Sequence, residues 1–440
     1  MAAVTVGVLG LLGALWGPAA PHAPAGPVTA GRVAPGPPGP ADGLRQTVEC
    51  TPPGPGGPGA APPAAPPPDG LATGAGELVA VIDTGIAPLP RLAGRLRGGG
   101  DYLTGGDGLS DCDGHGSAVA LVLAGAADPE TGTGAGIAPG AELLSLRQSS
   151  ARFVVSDPDG SERPAGEIAT LASAIGRAVA LGASVINVSQ VVCVPADEAD
   201  RAGAALHAAV AGAVAADVLV VAAAGNIDPA GTCTDTPGLR PLPASYEEVL
   251  AVGAVDALDR PAAFSIPGPW IDVAAPGVDL PAPAGPDGAV VSGTSYAAPL
   301  VAGTAALLRE RFPMLTADQV ADRILTTARP PAAGRDDRVG TGVVDPAAAL
   351  TAEPLLLVPG HHGGGASGDR APLPTPAPPP PGLPPAAGVG AVTAAGGALA
   401  LALTAARRRG ADRDGRPGAS AGDVGRVARG RQVQRSGFRQ

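Results

Sequence analysis

Five short apolar runs, separated by segments of helical length, set the tightest limit on how this chain can fold. The runs are Glu77–Asp83, Ala141–Leu146, Ala183–Ser189, Asp217–Asn226 and Glu248–Asp256. Each is rich in small or branched apolar residues without polar alternation, which is typical of strands buried on both faces. Helical segments at Glu167–Leu181 and Asp197–Ala216 lie between consecutive runs. This alternation predicts an α/β fold with a doubly wound, mainly parallel sheet flanked by helices.

Two further helices are expected later in the same block. The longer begins near Ser295 and continues through "YAAPLVAGTAALLRERF". The other follows Thr316, which forms a capping-box pattern with Gln319.

The limits of the folded domain follow from the proline content. Proline is dense from Pro21 to Pro68 and again from Pro372 to Pro385, and neither stretch has a hydrophobic period. Such stretches are typical of extended linkers. The sequence therefore predicts a Pro-rich N-terminal extension at residues 24–70, one folded domain at 71–353, and a Pro/Gly-rich linker at 354–386.

Two apolar segments outside the folded domain indicate export and membrane anchoring. Residues 1–23 hold an apolar run followed by small residues and prolines, as a signal peptide does. Residues 387–406 are uncharged and precede three arginines, and twenty residues at 1.5 Å each span a bilayer core of about 30 Å. A flexible Ala/Gly linker is the alternative, but the arginines favour a transmembrane helix with residues 407–440 as a basic cytoplasmic tail. The expected location is the cell membrane, single-pass, with the folded domain outside the cytoplasm.

The charge distribution is consistent with two compartments. The chain has a net charge of −11, yet the tail carries ten Arg against three Asp, so the rest of the chain carries −18. An acidic body with a basic tail argues against nucleic-acid binding. Four cysteines in an exported chain are most simply two disulfides, although spacing does not choose among the three possible pairings. They are Cys50, Cys112, Cys193 and Cys233.

Four polar residues are expected to meet at one end of the sheet. Asp83 ends the first strand, and Asn226 ends the fourth. His115 lies in the turn "DGHG" and opens the helix that follows, and Ser295 begins the longest helix. Ligand sites of open α/β sheets form beyond the carboxyl ends of the strands. The sequence therefore predicts one site built from these four side chains.

These residue types suit acyl transfer by a serine nucleophile. A serine hydroxyl needs an imidazole to take its proton, and the imidazole needs a carboxylate to fix its tautomer. Ser295, His115 and Asp83 can fill these catalytic roles. The Asn226 amide, with the backbone N–H of Ser295, can stabilise the oxyanion. His207 lies mid-helix among alanines, where a surface or core role is expected.

Other chemistries are possible for the segment "DCDGHG". A metal site at Asp111, Cys112, Asp113 and His115 would need a second ligand cluster, and none occurs at zinc-type spacing. No metal ligand and no cofactor are predicted, and structural calcium is not indicated. A cysteine hydrolase is disfavoured because an exported Cys112 is expected to be oxidised. A cell-wall adhesin would require more than 2% aromatic residues.

The motifs around these residues resemble those of a known family. "VAVIDTGI", "DGHGSAVA", "AAAGN" and "SGTSYAAPLVAG" resemble the Asp, His, Asn and Ser blocks of the subtilisin-like serine proteases (peptidase S8), in that family's chain order. "DCDGHG", "LSLRQSS" and "INVSQVVCVP", with the linker and the C-terminal apolar segment, narrow the resemblance to mycosins. Mycosins are membrane-anchored subtilases associated with type VII secretion in actinobacteria.

The resemblance implies further site residues and partners. It implies disulfides Cys50–Cys112 and Cys193–Cys233, and it implies substrate binding at three residues, Ser189, Ala224 and Gly225. A secreted protein or peptide substrate and the type VII secretion membrane complex are the implied partners. The alternative is a mainly structural component of that complex that keeps the subtilase fold.

One departure from the family concerns the cleft. Subtilisins carry a Ser-Leu-Gly-Gly run where this chain has "SQVVC". Loss of glycine where a substrate approaches closely predicts a narrow or occluded cleft. The Pro-rich segment Pro24–Pro68 lacks the apolar alternation of a foldable inhibitory prodomain, so no folding-chaperone role is expected for it.

Overall fold

A computed structural model describes residues 43–50 and 70–353, apart from 131, 133, 158, 229–232, 235 and 283–289. All of the described residues belong to one unit of the chain. The predicted signal peptide, linker, transmembrane helix and tail lie outside them. Within the described part of the chain, no helix has the length and apolar character needed to cross a membrane.

Strands and helices alternate along the described residues. The strands are β1 Leu44–Gln46, β2 Leu78–Asp83, β3 Leu96–Asp101, β4 Glu142–Arg147, β5 Ser150–Ser156, β6 Glu162–Ala165, β7 Val185–Val188, β8 Val192–Pro195, β9 Leu219–Ala223, β10 Leu239–Leu242, β11 Leu250–Val255, β12 Val273–Pro276, β13 Leu280–Pro281 and β14 Val290–Val291. The helices are α1 His115–Ala124, α2 Ile168–Ala180, α3 Ala199–Ala215, α4 Thr294–Arg311, α5 Ala317–Thr327 and α6 Pro346–Thr351, with a short 3-10 turn at Pro90–Leu92.

A seven-stranded parallel sheet forms the centre of the domain. Its strand order is β12-β11-β9-β7-β2-β4-β3, and every neighbouring pair in it is parallel. The α/β class and the mainly parallel sheet predicted from the sequence are therefore confirmed. The five predicted apolar runs correspond to β2, β4, β7, β9 and β11.

Both faces of the sheet are covered by helices, as the unbroken apolar runs require. In β2, Val79 and Val81 pack with α1 and α4 on one face, while Ala80 and Ile82 pack with α2 and α3 on the other. Each of these side chains is at most 1% exposed. Full burial of one valine or isoleucine stabilises a fold by about 1.5–3 kcal/mol, so a polar substitution in β2 would be severe.

Two strands of the sheet have no clear signature in the sequence. β3 contains three consecutive glycines, and its register with β4 shifts between Gly98 and Gly100. β12 ends in Pro276 and lies at the opposite edge of the sheet. Glycine and proline weaken any strand pattern, and a sheet edge tolerates both because fewer ladder hydrogen bonds depend on them.

The N-terminal extension contains a short strand that the proline content conceals. β1 pairs antiparallel with β5, which in turn pairs with β6 in a small separate sheet. A disulfide from Cys50 to Cys112 joins the segment that follows β1 to the loop before α1. Part of the extension, whose proline content is typical of a linker, is therefore attached to the folded domain at two points.

The later helices have the predicted limits and capping. α5 begins after Thr316, whose hydroxyl accepts a hydrogen bond from the Gln319 N–H at 3.3 Å. The Gln319 side chain accepts one from the Thr316 N–H at 3.0 Å. These reciprocal bonds form the capping box expected from the sequence. α4 is the longest of the described helices and runs through the core, with fifteen consecutive buried residues from Thr294 to Leu308.

Candidate active site

Asp83 lies at the carboxyl end of β2, the strand third from one edge of the parallel sheet. Its side chain is fully buried. Asp83 Oδ1 accepts a hydrogen bond from the Thr84 N–H at 2.7 Å and lies 2.7 Å from His115 Nδ1. The carboxylate is therefore fixed by its own backbone and faces the imidazole ring.

His115 is the first residue of α1 and lies between Asp83 and Ser295. Its Nε2 is 2.9 Å from Ser295 Oγ. With Nδ1–H donating to Asp83, Nε2 carries the lone pair and accepts from the serine hydroxyl. The structure thus brings the three predicted catalytic side chains into one hydrogen-bonded series.

The loop before α1 is held by the carboxylate of Asp111. Oδ1 accepts hydrogen bonds from the Thr84 hydroxyl at 2.9 Å and from the N–H groups of Asp113 and Gly114 at 3.1 and 2.8 Å. Oδ2 accepts from the Ser117 N–H at 2.8 Å. The Thr84 hydroxyl in turn accepts from the N–H of Gly116. Asp111 and Thr84 together therefore tie the end of β2 to the first turn of α1.

Negative charge around His115 favours its protonated form. Burial alone lowers the pKa of His115, but the charges of Asp83, Asp111 and Asp113 and the hydrogen bond to Asp83 outweigh burial. The pKa of His115 is therefore raised above its ordinary value of 6.5. A raised pKa suits a base that must hold a proton during the reaction.

The carboxyl group of Asp111 experiences the opposite balance. Burial, with repulsion from Asp83, raises its pKa above the usual 3.8, although hydrogen bonds from Ser117 and Thr84 act in the other direction. Because Asp83 and Asp111 are close together and buried, the negative charge of Asp83 makes ionisation of Asp111 less favourable.

Ser295 occupies the second position of α4. Its N–H belongs to the first turn, where helical N–H groups have no intrahelical partner and the helix dipole is positive. The Tyr296 ring lies against the His115 ring, with a centroid distance of 5.1 Å. Burial raises the pKa of Tyr296, so its phenol stays neutral at physiological pH.

The Asn226 side chain lies close to the start of α4, beside Thr294 and Ser295. Its Oδ1 accepts hydrogen bonds from the N–H and the hydroxyl of Thr294, at 3.0 and 2.9 Å. These two bonds fix the amide with Nδ2 facing the serine. A Cβ added at Gly293 would lie 3.0 Å from Ser295 Oγ and 3.2 Å from Asn226 Nδ2. Glycine at that position keeps open the space where the reacting carbonyl has to approach both groups.

The residues predicted to bind substrate lie at the ends of β7 and β9. Ser189 is buried, and its hydroxyl donates to the backbone carbonyl of Ser295 at 3.2 Å. Ala224 is buried, and its N–H donates to β11. Gly225 has a φ of +99°, which favours glycine, and its N–H donates to the Thr294 hydroxyl.

Two apolar side chains lie against Gly225. A Cβ at Gly225 would lie 2.7 Å from Ile266 Cδ1 and 3.1 Å from Val191 Cγ1. Val191 belongs to the "SQVVC" segment that departs from the usual glycine run. The space between the ends of the adjacent strands β7 and β9 therefore contains aliphatic side chains.

The side chains that a metal site would need are engaged in other bonds. Cys112 forms the disulfide with Cys50, and Cys193 forms the second disulfide with Cys233. Asp113 accepts hydrogen bonds from the Ser150 hydroxyl and the Ala151 N–H. Within the described part of the chain, no three or more His, Cys, Asp or Glu side chains come together in a way that would hold a metal ion.

His207 is placed away from the site. It lies on α3 with its Nε2 3.0 Å from Glu248 and its ring stacked on Tyr246. Half of its side chain is exposed, so of the two roles expected from the sequence, surface or core, the structure shows the surface one.

Sequence reasoning did not identify Thr84, Asp111, Thr294 or Tyr296 as parts of the site. Each of them adjoins or closely precedes a predicted site residue in the chain. For Thr84, the sequence offers one indication of a role in the site, which is that it directly follows Asp83 at the end of a predicted strand. Nothing in the sequence distinguishes Asp111 from an ordinary loop aspartate, because its role depends on which N–H groups the folded loop turns toward it.

Comparison with known proteins assigns this geometry to a family. The sequence profile of the subtilase family matches residues 74–342. Mycosin-4 of Mycobacterium tuberculosis is 45% identical over 335 residues, which cover 70% of this chain and 70% of mycosin-4.

Two solved structures are also similar. The first is that of a serine protease MycP1, described as an essential component of the type VII (ESX-1) secretion system. It has 38% identity and a TM-score of 0.61 and covers 72% of this chain and 95% of MycP1. The second is a chain of an intact ESX-5 inner membrane complex, with 36% identity and a TM-score of 0.58. The match covers 86% of this chain and 96% of the chain in that complex.

Proposed function

The chain belongs to the subtilase family as a mycosin-like serine endopeptidase, and on that premise we propose that Asp83, His115 and Ser295 form its catalytic triad. The proposed substrate is a secreted protein or peptide, cleaved at a narrow set of bonds outside the cytoplasm. The proposed setting is a type VII secretion complex, with the protein anchored through residues 387–406.

The geometry supports the following steps. Ser295 Oγ attacks the scissile carbonyl carbon while His115 Nε2 takes the hydroxyl proton, and Asp83 holds Nδ1–H and stabilises the imidazolium. The carbonyl oxygen becomes an oxyanion and accepts hydrogen bonds from Asn226 Nδ2–H and the Ser295 N–H. His115 then gives its proton to the leaving amine. In the second half, a water loses a proton to His115 and attacks the acyl carbon. The tetrahedral intermediate then collapses, His115 gives the proton to Ser295 Oγ, and the new carboxyl terminus leaves.

One observation carries the proposal: the unbroken series from Asp83 Oδ1 through His115 to Ser295 Oγ, with contacts of 2.7 and 2.9 Å. Both distances lie within the range that a general base and its orienting carboxylate require. The amide of Asn226 adds a donor beside the nucleophile at a position where Gly293 leaves space.

Packing at Gly225 supports a narrow specificity. The family resemblance places the primary specificity pocket beside the "SQVVC" segment, where Val191 and Ile266 pack on Gly225. We propose that these side chains leave room only for a small residue, such as glycine, alanine or serine, before the scissile bond. A bulky aromatic residue would have to displace both.

The secretion role rests on the relatives. A similar protein is described as an essential component of a type VII secretion system, and others are chains of an inner membrane complex. A component of such a complex can also act by contributing to its stability, so a mainly structural role is the second candidate function. The two candidates differ in whether Ser295 is required.

A three-strain comparison tests the proposal. The wild type, a Ser295→Ala strain and a strain without the protein are grown in parallel, and new N-termini in the culture supernatants are identified by mass spectrometry. We expect a small set of cleavages in the wild type that both other strains lack. Secretion that fails only in the strain without the protein would add the structural role. Identical cleavage patterns in all three strains would refute the endopeptidase function.

A further inference from the structure

The backbone carbonyl of Ser295 lacks its ordinary helical partner. In an α-helix, the carbonyl of each residue accepts a hydrogen bond from the N–H four positions later. The residue four positions after Ser295 is Pro299, which lies inside α4 and has no N–H. The Ser295 carbonyl therefore has no N–H donor at the position that normally bonds it in an α-helix.

A side chain from a neighbouring strand end supplies the missing hydrogen bond. The Ser189 hydroxyl donates to the Ser295 carbonyl at 3.2 Å, and it accepts from the Asn187 amide Nδ2 at 2.9 Å. Both Asn187 and Ser189 are buried, and Asn187 lies within β7. The series Asn187–Ser189–Ser295 thus connects a central strand of the sheet to the nucleophile's own peptide group.

The other side of the nucleophile is fixed in a similar way. The preceding residue, Thr294, donates its N–H and its hydroxyl to Asn226. Ser295 therefore lies between two anchored peptide groups. These bonds hold the backbone on both sides of the Ser295 Cα, and with it the Oγ that attacks and the N–H that faces the oxyanion.

We propose that Ser189 is a positioning residue that holds the peptide group of Ser295, and that Pro299 makes this possible by removing the competing helical donor. This inference rests on the proposed function, because it assumes that Ser295 is the nucleophile. Ser189 acts through Ser295 rather than by contact of its hydroxyl with the substrate.

A double-mutant cycle tests the coupling between the two residues. Pro299→Ala supplies an N–H that can bond the Ser295 carbonyl in the helical pattern, so the Ser189 hydroxyl becomes redundant. Purified full-length wild type, Ser189→Ala, Pro299→Ala and the double variant are reacted with a small fluorophosphonate that labels active serines. The maximal labelling rate and the half-saturating concentration are measured separately, together with the thermal unfolding midpoint.

Loss of one hydrogen bond to a buried carbonyl predicts about a tenfold slower maximal labelling in Ser189→Ala, with the half-saturating concentration unchanged. In the Pro299→Ala background, the same substitution should slow labelling by less than about threefold, since interacting residues are not additive. The pH at which labelling falls on the acid side should stay constant, because His115 is untouched. A general loosening of the fold would not produce this pattern.

Matched controls separate positioning from stability. Ser173→Ala removes a hydroxyl that donates to a helix carbonyl on the exposed face of α2, and it should leave labelling unchanged. Ser189→Cys keeps the shape of the side chain in a slightly larger form but donates weakly, so it tests the same hydrogen bond if Ser189→Ala does not fold. Its labelling should be slower than that of the wild type.

The outcomes distinguish the inference from its premise. Wild-type labelling at Ser295 with equal, additive effects in both backgrounds would overturn the positioning role and leave the catalytic function intact. Wild-type speed in both Ser189 variants would do the same. No labelling of the wild type at Ser295 would overturn the proposed function and the inference together.

Discussion

Replacement of Asp111 by asparagine separates the structural and electrostatic roles of the loop before α1. The substitution keeps the size of the side chain and one oxygen, which can still accept from Thr84, Asp113 and Gly114. In the wild type, the Ser117 N–H donates to Asp111 Oδ2 at 2.8 Å. In the variant, this oxygen is replaced by an NH₂ group, which cannot accept that hydrogen bond. A buried donor is left unsatisfied, and a negative charge beside His115 is removed.

Each loss has its own expected size or direction. An unsatisfied buried donor costs about 1–3 kcal/mol, so Asp111→Asn should lower the free energy of unfolding by that amount. Asp111 is one of the charges that raise the pKa of His115, so its neutralisation should lower that pKa. His115 accepts a proton only when neutral, and the acid limb of the reaction should therefore move to lower pH.

Two measurements on the purified full-length protein test these expectations. Urea unfolding gives the change in stability, and the rate of fluorophosphonate labelling from pH 5 to pH 9 gives the acid limb. Asp159→Asn, in the exposed turn between β5 and β6, is the matched control and should change neither. An unchanged unfolding free energy would refute the hydrogen-bond reasoning, and an unchanged acid limb would refute the electrostatic reasoning.

Three further substitutions test other parts of the site. Asn226→Ala removes one oxyanion donor and should slow turnover of a cleaved peptide by about 10²–10³-fold with little change in KM; a loss below tenfold would contradict the assignment. Val191→Gly should extend cleavage, in a peptide library, to larger apolar residues before the scissile bond, whereas the exposed Val290→Gly should not; an unaltered preference would remove Val191 from the specificity pocket. His115→Gln removes a group whose pKa is raised in the folded state, so the stability that His115 contributes is fully present below about pH 6.5 and lost as pH rises through the folded-state pKa. Urea unfolding should therefore show a larger difference between wild type and His115→Gln at pH 5.5 than at pH 9, and an equal difference would contradict the shift.

The central strands of the fold were predictable because a strand buried on both faces needs apolar residues at nearly every position. β2, β7 and β9 consist almost wholly of apolar residues, and no surface strand would tolerate that composition. β3 and β12 were not predictable, because they lie at sheet edges where glycine and proline are tolerated. β1 is three residues long and exists through its pairing with β5, more than a hundred residues away.

The candidate site was predictable in its reacting groups and less so in its supporting ones. Histidine and asparagine are scarce in the folded domain, so His115 and Asn226 stood out beside strand and helix ends. Thr84 and Asp111 act through backbone N–H groups, and the direction of those groups is set by the folded loop. The contact of Ile266 with Gly225 joins residues that are distant in sequence, and the residues around neither of them predict it.

Ser189 makes a contact that the family resemblance does not predict. The resemblance implies that Ser189 binds substrate, and the residue lies directly after β7, close to Ser295. Its hydroxyl, however, donates to the Ser295 carbonyl. The Ser295 carbonyl can accept this bond because Pro299, four residues later in α4, has no N–H to donate to it. The sequence alone does not reveal this, because the four-residue spacing matters only if the helix includes Ser295.

Covalent labelling is the most direct test of Ser295 as the nucleophile. The purified full-length protein is incubated with a fluorophosphonate, and the adduct is located by intact mass and peptide mapping. The account predicts one adduct per chain, on Ser295, which is absent in Ser295→Ala and forms far more slowly in His115→Ala. An adduct on a different serine, or none at all in the folded wild-type protein, would contradict it.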